Sequence, residues 1–197
     1  MITLCMDTSH IYLVLGLIRD GEVIDRVQNE CWKRQSEEIF PQLIALLERN
    51  GLHPEDIGSV VISDGPGSYT GVRIAMTVAK VFCAMKIIPL YTISTLRLYA
   101  GGETCRVIMD ARGKRVYTCA YVNGVPSEEE SVRETAELTI DPAETVTGDG
   151  RLVGRQDSWP DIALCFAKTQ SAWKKAENVH EVVPDYLKSS DAYMVKK

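Results

Sequence analysis

The chain has 197 residues, of which 45% are hydrophobic and 25% are charged, and its formal net charge is -5. Such values are typical of a soluble globular protein with one domain or two small ones. The acidic balance argues against a chain that grips a polynucleotide alone, because nucleic-acid affinity comes largely from clustered lysine and arginine.

The start of the chain predicts three strands joined by tight turns. Residues 2–6 and 11–18 are apolar and rich in β-branched side chains, and Asp20-Gly21 is a hairpin signal. A third, edge-like strand is predicted over residues 22–29, where apolar and polar residues alternate. Asp7 follows the first strand directly.

A helix is predicted over residues 36–50, because Ser36 suits an N-cap and Asn50-Gly51 is a stop signal. Its apolar side chains cover an arc wider than a simple amphipathic face. They are Ile39, Phe40, Leu43, Ile44, Leu46 and Leu47. We therefore predict that one side of this helix packs on the chain's own sheet and the other on a second domain or a partner.

A strand predicted over residues 57–63 leads into the most distinctive segment of the chain. This segment reads Asp-Gly-Pro-Gly-Ser-Tyr-Thr-Gly-Val-Arg over residues 64–73 and precedes a helical run over residues 74–85. Ser68 and Thr70 suit helix N-caps, and the free N–H groups of such a turn suit an anion. The spacing matches neither the dinucleotide fingerprint nor the P-loop. The pattern alone leaves an anion site and a ligand-free tight turn as equal alternatives.

The helix after this turn also carries an apolar stripe at helical spacing. The stripe consists of Val72, Ala75, Met76, Ala79, Phe82 and Cys83. Ala75 and Ala79 are small, so another helix can approach closely. We predict that Met76 faces a partner; the alternative is that it faces the chain's own sheet.

The remaining elements predict a second half that repeats the order of the first. A strand over residues 87–91 and a short helix opened by Ser94-Thr95 end the first half, and Gly101-Gly102 is the predicted boundary between residues 1–101 and 102–197. The second half is then predicted to hold strands, an acidic solvated loop, a helical region and a returning end. These predictions cover residues 105–109, 115–122 and 144–147 as strands, 128–130 as the loop, 159–175 as helical and 185–188 as packing back on one lobe.

Residues 65–73 resemble the Gly-Pro-Gly-Ser-Phe-Thr-Gly-x-Arg signature of the bacterial TsaB (YeaZ) family of tRNA threonylcarbamoyladenosine biosynthesis proteins. Other family segments follow in the same order along the chain. They are Met6-Asp7-Thr8-Ser9, Gln35-Ser36-Glu37, Ile88-Pro89-Leu90, Ile93-Ser94-Thr95-Leu96, Ile108-Met109-Asp110-Ala111-Arg112 and Pro184-Asp185-Tyr186-Leu187-Lys188. The resemblance is strong up to about Tyr121 and looser, in a shortened chain, from Asn123 to Glu181.

The resemblance implies an α/β protein with two ribonuclease-H-like lobes of the actin-like ATPase superfamily, whose mixed sheets are flanked by helices. The first lobe would carry the partner-binding helices, and the end of the smaller second lobe would return to the first. The resemblance further implies a non-catalytic scaffold that binds the metal-bearing catalytic subunit TsaD, together with the ATPase TsaE. The implied interface residues are Ile39, Phe40, Leu43, Leu47, Val72, Ala75, Met76 and Ala79.

This resemblance also sets expectations for ligands. We expect a homodimer when the chain is alone, contact with tRNA only through the complex, and no cofactor in the isolated chain, with ATP or ADP confined to the interface of the assembled complex. The candidate nucleotide or anion contacts are Asp7, Ser9, Gly65, Gly67, Ser68, Thr70, Gly71 and Arg73. For Asp7 both a nucleotide role and a turn hydrogen bond remain open. Arg73 can meet a phosphate or an acid of a partner, and Asp110-Ala111-Arg112 predicts an interdomain ion pair.

No catalytic centre is predicted. His10, His53 and His180 are far apart and form no metal motif. TsaD carries a His-His-Met-Glu-Gly-His segment, and alignment by the preceding Ile-Pro-Leu places Thr95 and Tyr99 at its two ligand positions. A neutral hydroxyl and a neutral phenol are poor ligands for a catalytic cation.

Two rival classes remain at this point. An ATP-dependent kinase or phosphatase of the actin-like superfamily would use Asp7 and the glycine turn. A peptidase would need Ser68 as nucleophile, but the sequence offers no base near it, and a capping role for Ser68 is favoured.

The cysteines and the chain start bear on the compartment. The six cysteines form no Cys-x-x-Cys pair, and Cys5, Cys83 and Cys119 lie in apolar stretches. We expect reduced core cysteines rather than disulfides or a metal site. Since no secretory pattern opens the chain and no run reaches membrane-spanning length, we expect a cytoplasmic protein without a membrane partner.

Overall fold

The computed structural model of the chain describes residues 1–31 and 33–187. Its first sheet contains β1 (Ile2–Asp7), β2 (Tyr12–Arg19), β3 (Glu22–Glu30), β4 (Ile57–Ser63) and β5 (Leu90–Ile93), in the spatial order β5, β4, β1, β2, β3. The first three strands are antiparallel neighbours, whereas β4 and β5 run parallel to β1. The predicted hairpin at Asp20-Gly21 is confirmed, and both residues have positive φ, as a type I′ turn requires.

The helices are α1 (Gln35–Arg49), α2 (Tyr69–Lys86), α3 (Thr95–Ala100) and α4 (Ile162–Lys168). The predicted caps at Ser68 and Ser94 are confirmed, because each side-chain oxygen accepts an N–H bond from the first turn of its helix. The predicted cap at Ser36 is wrong: Arg34 is the N-cap of α1 and makes no side-chain cap bond. None of the described helices is both long and apolar enough to span a bilayer.

The second sheet contains β6 (Cys105–Asp110), β7 (Arg115–Val122), β8 (Val125–Pro126), β9 (Ser131–Glu134) and β10 (Val146–Gly148). β6 pairs with β7 antiparallel and with β10 parallel, and both β8 and β9 pair with β7. Two mixed sheets flanked by helices confirm the predicted α/β class.

Three predictions about the connecting regions are corrected. The acidic run at 128–130 is not a fully solvated loop, because Glu128 pairs with Arg106 at 2.5 Å and Glu130 accepts from the Tyr121 hydroxyl at 2.9 Å. β5 begins at Leu90 instead of residue 87, because Ile87 caps α2. Only part of residues 159–175 is α-helical, since a two-residue strand, β11 (Lys174–Lys175), ends the region and extends the first sheet beside β5.

The first sheet is buried on both faces. On β1, Leu4 and Met6 belong to a core with α1 and α2, while Cys5 belongs to a second core that includes α3, α4 and the second sheet. α4 also packs closely on β2, where a Cβ at Gly16 would lie 3.1 Å from Cβ of Ala163. Burial on both faces explains why the first two strands read as nearly continuous apolar runs.

This packing corrects the predicted partner interface. Seven of the eight proposed interface residues are at most 7% exposed and belong to the first core: Ile39, Leu43, Leu47, Val72, Ala75, Met76 and Ala79. Met76 is 3% exposed, so its side chain packs within the chain's own core. Only Phe40 of the eight is exposed, at 55%.

Candidate functional site

The glycine turn between β4 and α2 is shaped by close approach of the chain's own backbone. A Cβ at Gly67 would lie 2.6 Å from the backbone oxygen of Ser9. A Cβ at Gly71 would collide with the backbone oxygen of Thr8. Gly65 has φ +118°, which other residues rarely adopt, and a Cβ there would collide with the backbone oxygen of Asp185. Each glycine therefore has a reason that involves no ligand.

The polar groups of the turn are bonded within the chain. Ser68 N donates to the Ser9 oxygen at 2.7 Å, and Gly71 N donates to Ser68 Oγ at 3.2 Å. The Gly65 oxygen accepts from Thr95 N at 2.7 Å. The predicted cap at Thr70 is wrong, because Thr70 lies exposed inside the first turn of α2, after the N-cap Ser68. These bonds favour the tight-turn alternative over the anion site.

Asp7 is fully buried at the end of β1, and its carboxylate is surrounded by donors from three elements. Ser9 N donates to it at 3.1 Å and the Tyr99 hydroxyl at 2.9 Å, while Ser63 Oγ also donates. The bond from Ser9 N is the local turn bond that the sequence allowed. In this arrangement the carboxylate faces the chain's own donors.

Of the two positions that the family resemblance aligns with metal ligands of TsaD, Tyr99 contacts the Asp7 carboxylate. Thr95 and Tyr99 are both fully buried on α3. Burial raises the pKa of Tyr99 well above its ordinary value, and the neighbouring Asp7 adds to the shift. The phenol thus remains a neutral hydrogen-bond donor. In residues 1–31 and 33–187 no three His, Cys, Asp or Glu side chains are grouped to hold a metal ion.

Arg73 is engaged by aromatic side chains of its own chain. Its guanidinium carbon lies 4.0 Å from the centroid of the Tyr69 ring, and Nε donates to the Tyr186 hydroxyl at 2.8 Å. Neither of the predicted partners, a phosphate or an acid of another subunit, is needed to account for this position.

A contact between the two halves was missed by the sequence reasoning. His10 Nε2 lies 2.9 Å from Asp149 Oδ2, and the Trp159 ring lies 4.5 Å from the imidazole. Burial by itself raises the pKa of Asp149, but bonds from His10 and Asp110 N bring this pKa below its ordinary value. Arg112 pairs with Asp110 locally, at 2.9 Å, and an ion pair of this segment across the two halves stays a prediction. For the contact between His10 and Asp149, the only signal in the sequence was the glycine on each side of Asp149.

Gln35 stands where the family commonly has histidine. It is 4% exposed, and its Nε2 donates to the backbone oxygen of His10 at 2.8 Å. An amide thus supports the loop between β1 and β2 from the start of α1.

The outer faces of α1 and α2 expose large apolar side chains. Their exposed fractions are 55% for Phe40, 55% for Ile44, 55% for Val81, 80% for Met85 and 92% for Ile87. Ile87 also has φ +54°, a left-handed conformation that is costly for a β-branched residue. The isolated chain gains little from an exposed and strained isoleucine at this position.

Comparison with known proteins identifies relatives across the chain. The family model described as TsaD, tRNA N6-adenosine threonylcarbamoyltransferase, matches residues 27–155. The tRNA threonylcarbamoyladenosine biosynthesis protein TsaB of Bacillus subtilis is 30% identical, covering 98% of this chain and 96% of that protein. TsaB of Escherichia coli is 29% identical, covering 81% of this chain and 74% of that protein.

Solved structures agree on the fold. A Pseudomonas aeruginosa protein described as similar to the peptidase YEAZ has a TM-score of 0.80 at 21% identity, over 95% of this chain and 99% of that one. YeaZ from Pseudomonas aeruginosa has a TM-score of 0.76 at 20% identity, over 94% of this chain and 99% of that one. At these identities the similarity establishes the fold alone.

Proposed function

Because this chain belongs to the TsaB family and acts in the biosynthesis of tRNA threonylcarbamoyladenosine, we propose that it is a non-catalytic subunit of the threonylcarbamoyl-transfer machinery. One observation carries this proposal: Tyr99, which the family resemblance aligns with a metal ligand of TsaD, is a buried phenol that donates to Asp7. A neutral phenol bonded to a carboxylate is a structural pair rather than a cation site.

We further propose that the chain binds and supports a TsaD homologue, with a TsaE homologue completing the assembly. The surface for this contact is the outer face of α1 and α2, whose large exposed apolar side chains include Phe40, Val81 and Met85. Burying one such side chain contributes about 1.5–3 kcal/mol. The same face would form a homodimer when the chain is alone.

Ligands of the pathway would reach this chain through the assembly. The formal net charge of -5 supports contact with tRNA only within the complex, since the phosphate backbone is bound by clustered cations. We propose no cofactor for the isolated chain, and we propose that ATP or ADP lies at a subunit boundary of the complex.

The test combines reconstitution with a matched pair of charge variants. Val81→Glu introduces a carboxylate on α2, and Val125→Glu does so at an equally exposed valine of β8; the two side chains are 55% and 59% exposed. We expect Val81→Glu to stay folded, to lose co-elution with TsaD from the same organism, and to lower threonylcarbamoyladenosine formation at least tenfold. Val125→Glu should match the wild type in both measurements.

Two outcomes would contradict the proposal. Co-elution of the Val81→Glu variant would remove this face of α2 from the interface. Threonylcarbamoyl transfer by the purified chain without TsaD would show that it is itself catalytic.

The rival classes gain no support from the geometry. A kinase or phosphatase would need Asp7 and the glycine turn to meet a nucleotide, but Asp7 is fully buried among the chain's own donors. A peptidase would need Ser68 as nucleophile, and its oxygen accepts the capping bond from Gly71 N. Measurable ATP hydrolysis by the isolated chain would revive the first alternative.

A further inference from the structure

Residues 178–187, here called the C-terminal strap, lie against α2 and end at the glycine turn. The strap contains one 3-10 turn, Val179–Glu181, and none of its residues is fully buried. Lys80 Nζ on α2 donates to the backbone oxygens of His180 at 3.0 Å and Val182 at 2.8 Å. Val179 and Val182 pack partly buried on the first core and Leu187 on the second, so the strap is held by surface bonds and by partly buried side chains.

The end of the strap is fastened by a stack of three side chains. The rings of Tyr69 and Tyr186 are nearly parallel, at 19°, with centroids 5.5 Å apart. Arg73 lies over both rings and bonds the Tyr186 hydroxyl. Tyr69 and Arg73 are four residues apart on the first turn of α2, so the helix presents them side by side. Exposed cation–π contacts of this kind are modest in strength.

The backbone of the strap covers the start of the glycine turn. Asp185 N donates to the Asp64 oxygen at 2.7 Å. The Asp185 oxygen lies so close to Gly65 that any side chain there would collide with it. Gly65 thus makes room for the strap itself.

We propose that the strap is a reversible lid on the glycine turn, and that the contacts of Tyr186 with Tyr69 and Arg73 hold it closed. The side chains of the strap are exposed or only partly buried, whereas β4, which leads into the turn, is buried along most of its length. Segments with few buried contacts open at a lower free energy than core strands. Opening of the strap exposes the backbone of Asp64 and Gly65, while the sheet stays folded.

Native-state hydrogen exchange on the full chain tests this lid. In the wild type, the Asp185 amide should exchange faster than the amides of β4. Tyr186→Ala should speed exchange of the Asp185 amide about tenfold or more, because the stack and a hydrogen bond are both lost. Tyr186→Phe keeps the ring stack and should give a smaller increase. Val183→Ala, at a strap side chain that is 70% exposed, is the matched control and should change nothing.

Two results of this experiment would contradict the proposal. If the Asp185 amide exchanges at the rate of the β4 amides, the strap opens only when the whole chain unfolds. If Tyr186→Ala speeds exchange in β4 equally, or has no more effect than Val183→Ala, Tyr186 does not hold the strap closed.

Discussion

The Asp7 carboxylate shows how far local sequence can go at a single residue. The pattern placed Asp7 at the end of a strand and allowed a turn bond, and Ser9 N makes that bond. The bond from Tyr99 joins residues 92 positions apart and has no local signature. The pair of His10 and Asp149 was missed for the same reason, since 139 positions separate them.

Removing the Tyr99 hydroxyl measures how much its hydrogen bond to Asp7 contributes to stability. Tyr99→Phe leaves a fully buried carboxylate with one donor fewer, so we expect a loss of about 1–3 kcal/mol in the free energy of unfolding. Urea denaturation gives this value. Tyr12→Phe is the control, because Tyr12 also contacts the edge of Trp159 but does not bond Asp7. Equal effects of the two changes would show that the bond to Asp7 contributes nothing measurable.

Ile87 lets backbone strain be separated from packing. Ile87→Gly removes a left-handed β-branched residue that is 92% exposed, so little packing is lost. Relief of this strain is worth about 1–2 kcal/mol, and the extra freedom of glycine in the unfolded chain offsets about 0.4–1 kcal/mol. We expect the free energy of unfolding of the isolated chain, measured by thermal denaturation, to rise by about 0.5–1 kcal/mol. Ile87→Ala keeps a Cβ and should gain less; a destabilised glycine variant would mean that Ile87 packs on its own chain.

At the scale of elements, the helices were predictable and their inner faces were not. α2 is apolar around most of its circumference, with Val72, Ala75 and Met76 on one side and Val81 and Met85 on another. Periodicity therefore located the helix but could not decide which stripe the sheet covers. The glycine turn was likewise predictable as a capped turn, whereas the backbone oxygens that require its glycines come from distant segments.

A charge at Met76 separates the inner stripe of α2 from the outer one. Met76 is 3% exposed in the first core, so Met76→Glu buries a carboxylate among apolar side chains. We expect the free energy of unfolding to fall by more than about 3 kcal/mol. Circular dichroism would show this as a strongly lowered melting temperature or as failure to fold. Val81→Glu on the outer stripe should melt close to the wild type. A Met76→Glu variant with wild-type stability would place Met76 outside the core.

At the scale of the whole molecule, the first sheet joins the two halves. Its second face carries Cys5, Val14 and Val61, which pack in one core with Phe166 of α4 and with the second sheet. The predicted boundary at Gly101 is itself packed, because a Cβ there would lie 2.5 Å from Cys165 Sγ. The glycines predicted the boundary, yet from beyond it α4 packs on the first sheet and β11 extends that sheet beside β5.

Residues 1–101 expressed alone test whether the first half can fold without this cover. The fragment keeps α1 and α2 on one face of the sheet but loses α4, β11 and the second sheet from the other. The exposed face would then present buried side chains such as Val14, Ile18 and Val61 to water, and each costs about 1.5–3 kcal/mol when it is uncovered. For these three side chains alone the loss is about 4.5–9 kcal/mol, which is comparable to the whole stability of a typical domain, about 5–15 kcal/mol. We expect the fragment to bind a hydrophobic dye, to lack near-ultraviolet circular dichroism and to melt without cooperativity, while the full chain melts in one sharp transition. A sharp, dye-free melt of the fragment would mean that the first half is an autonomous domain and that the shared second core adds little to its stability.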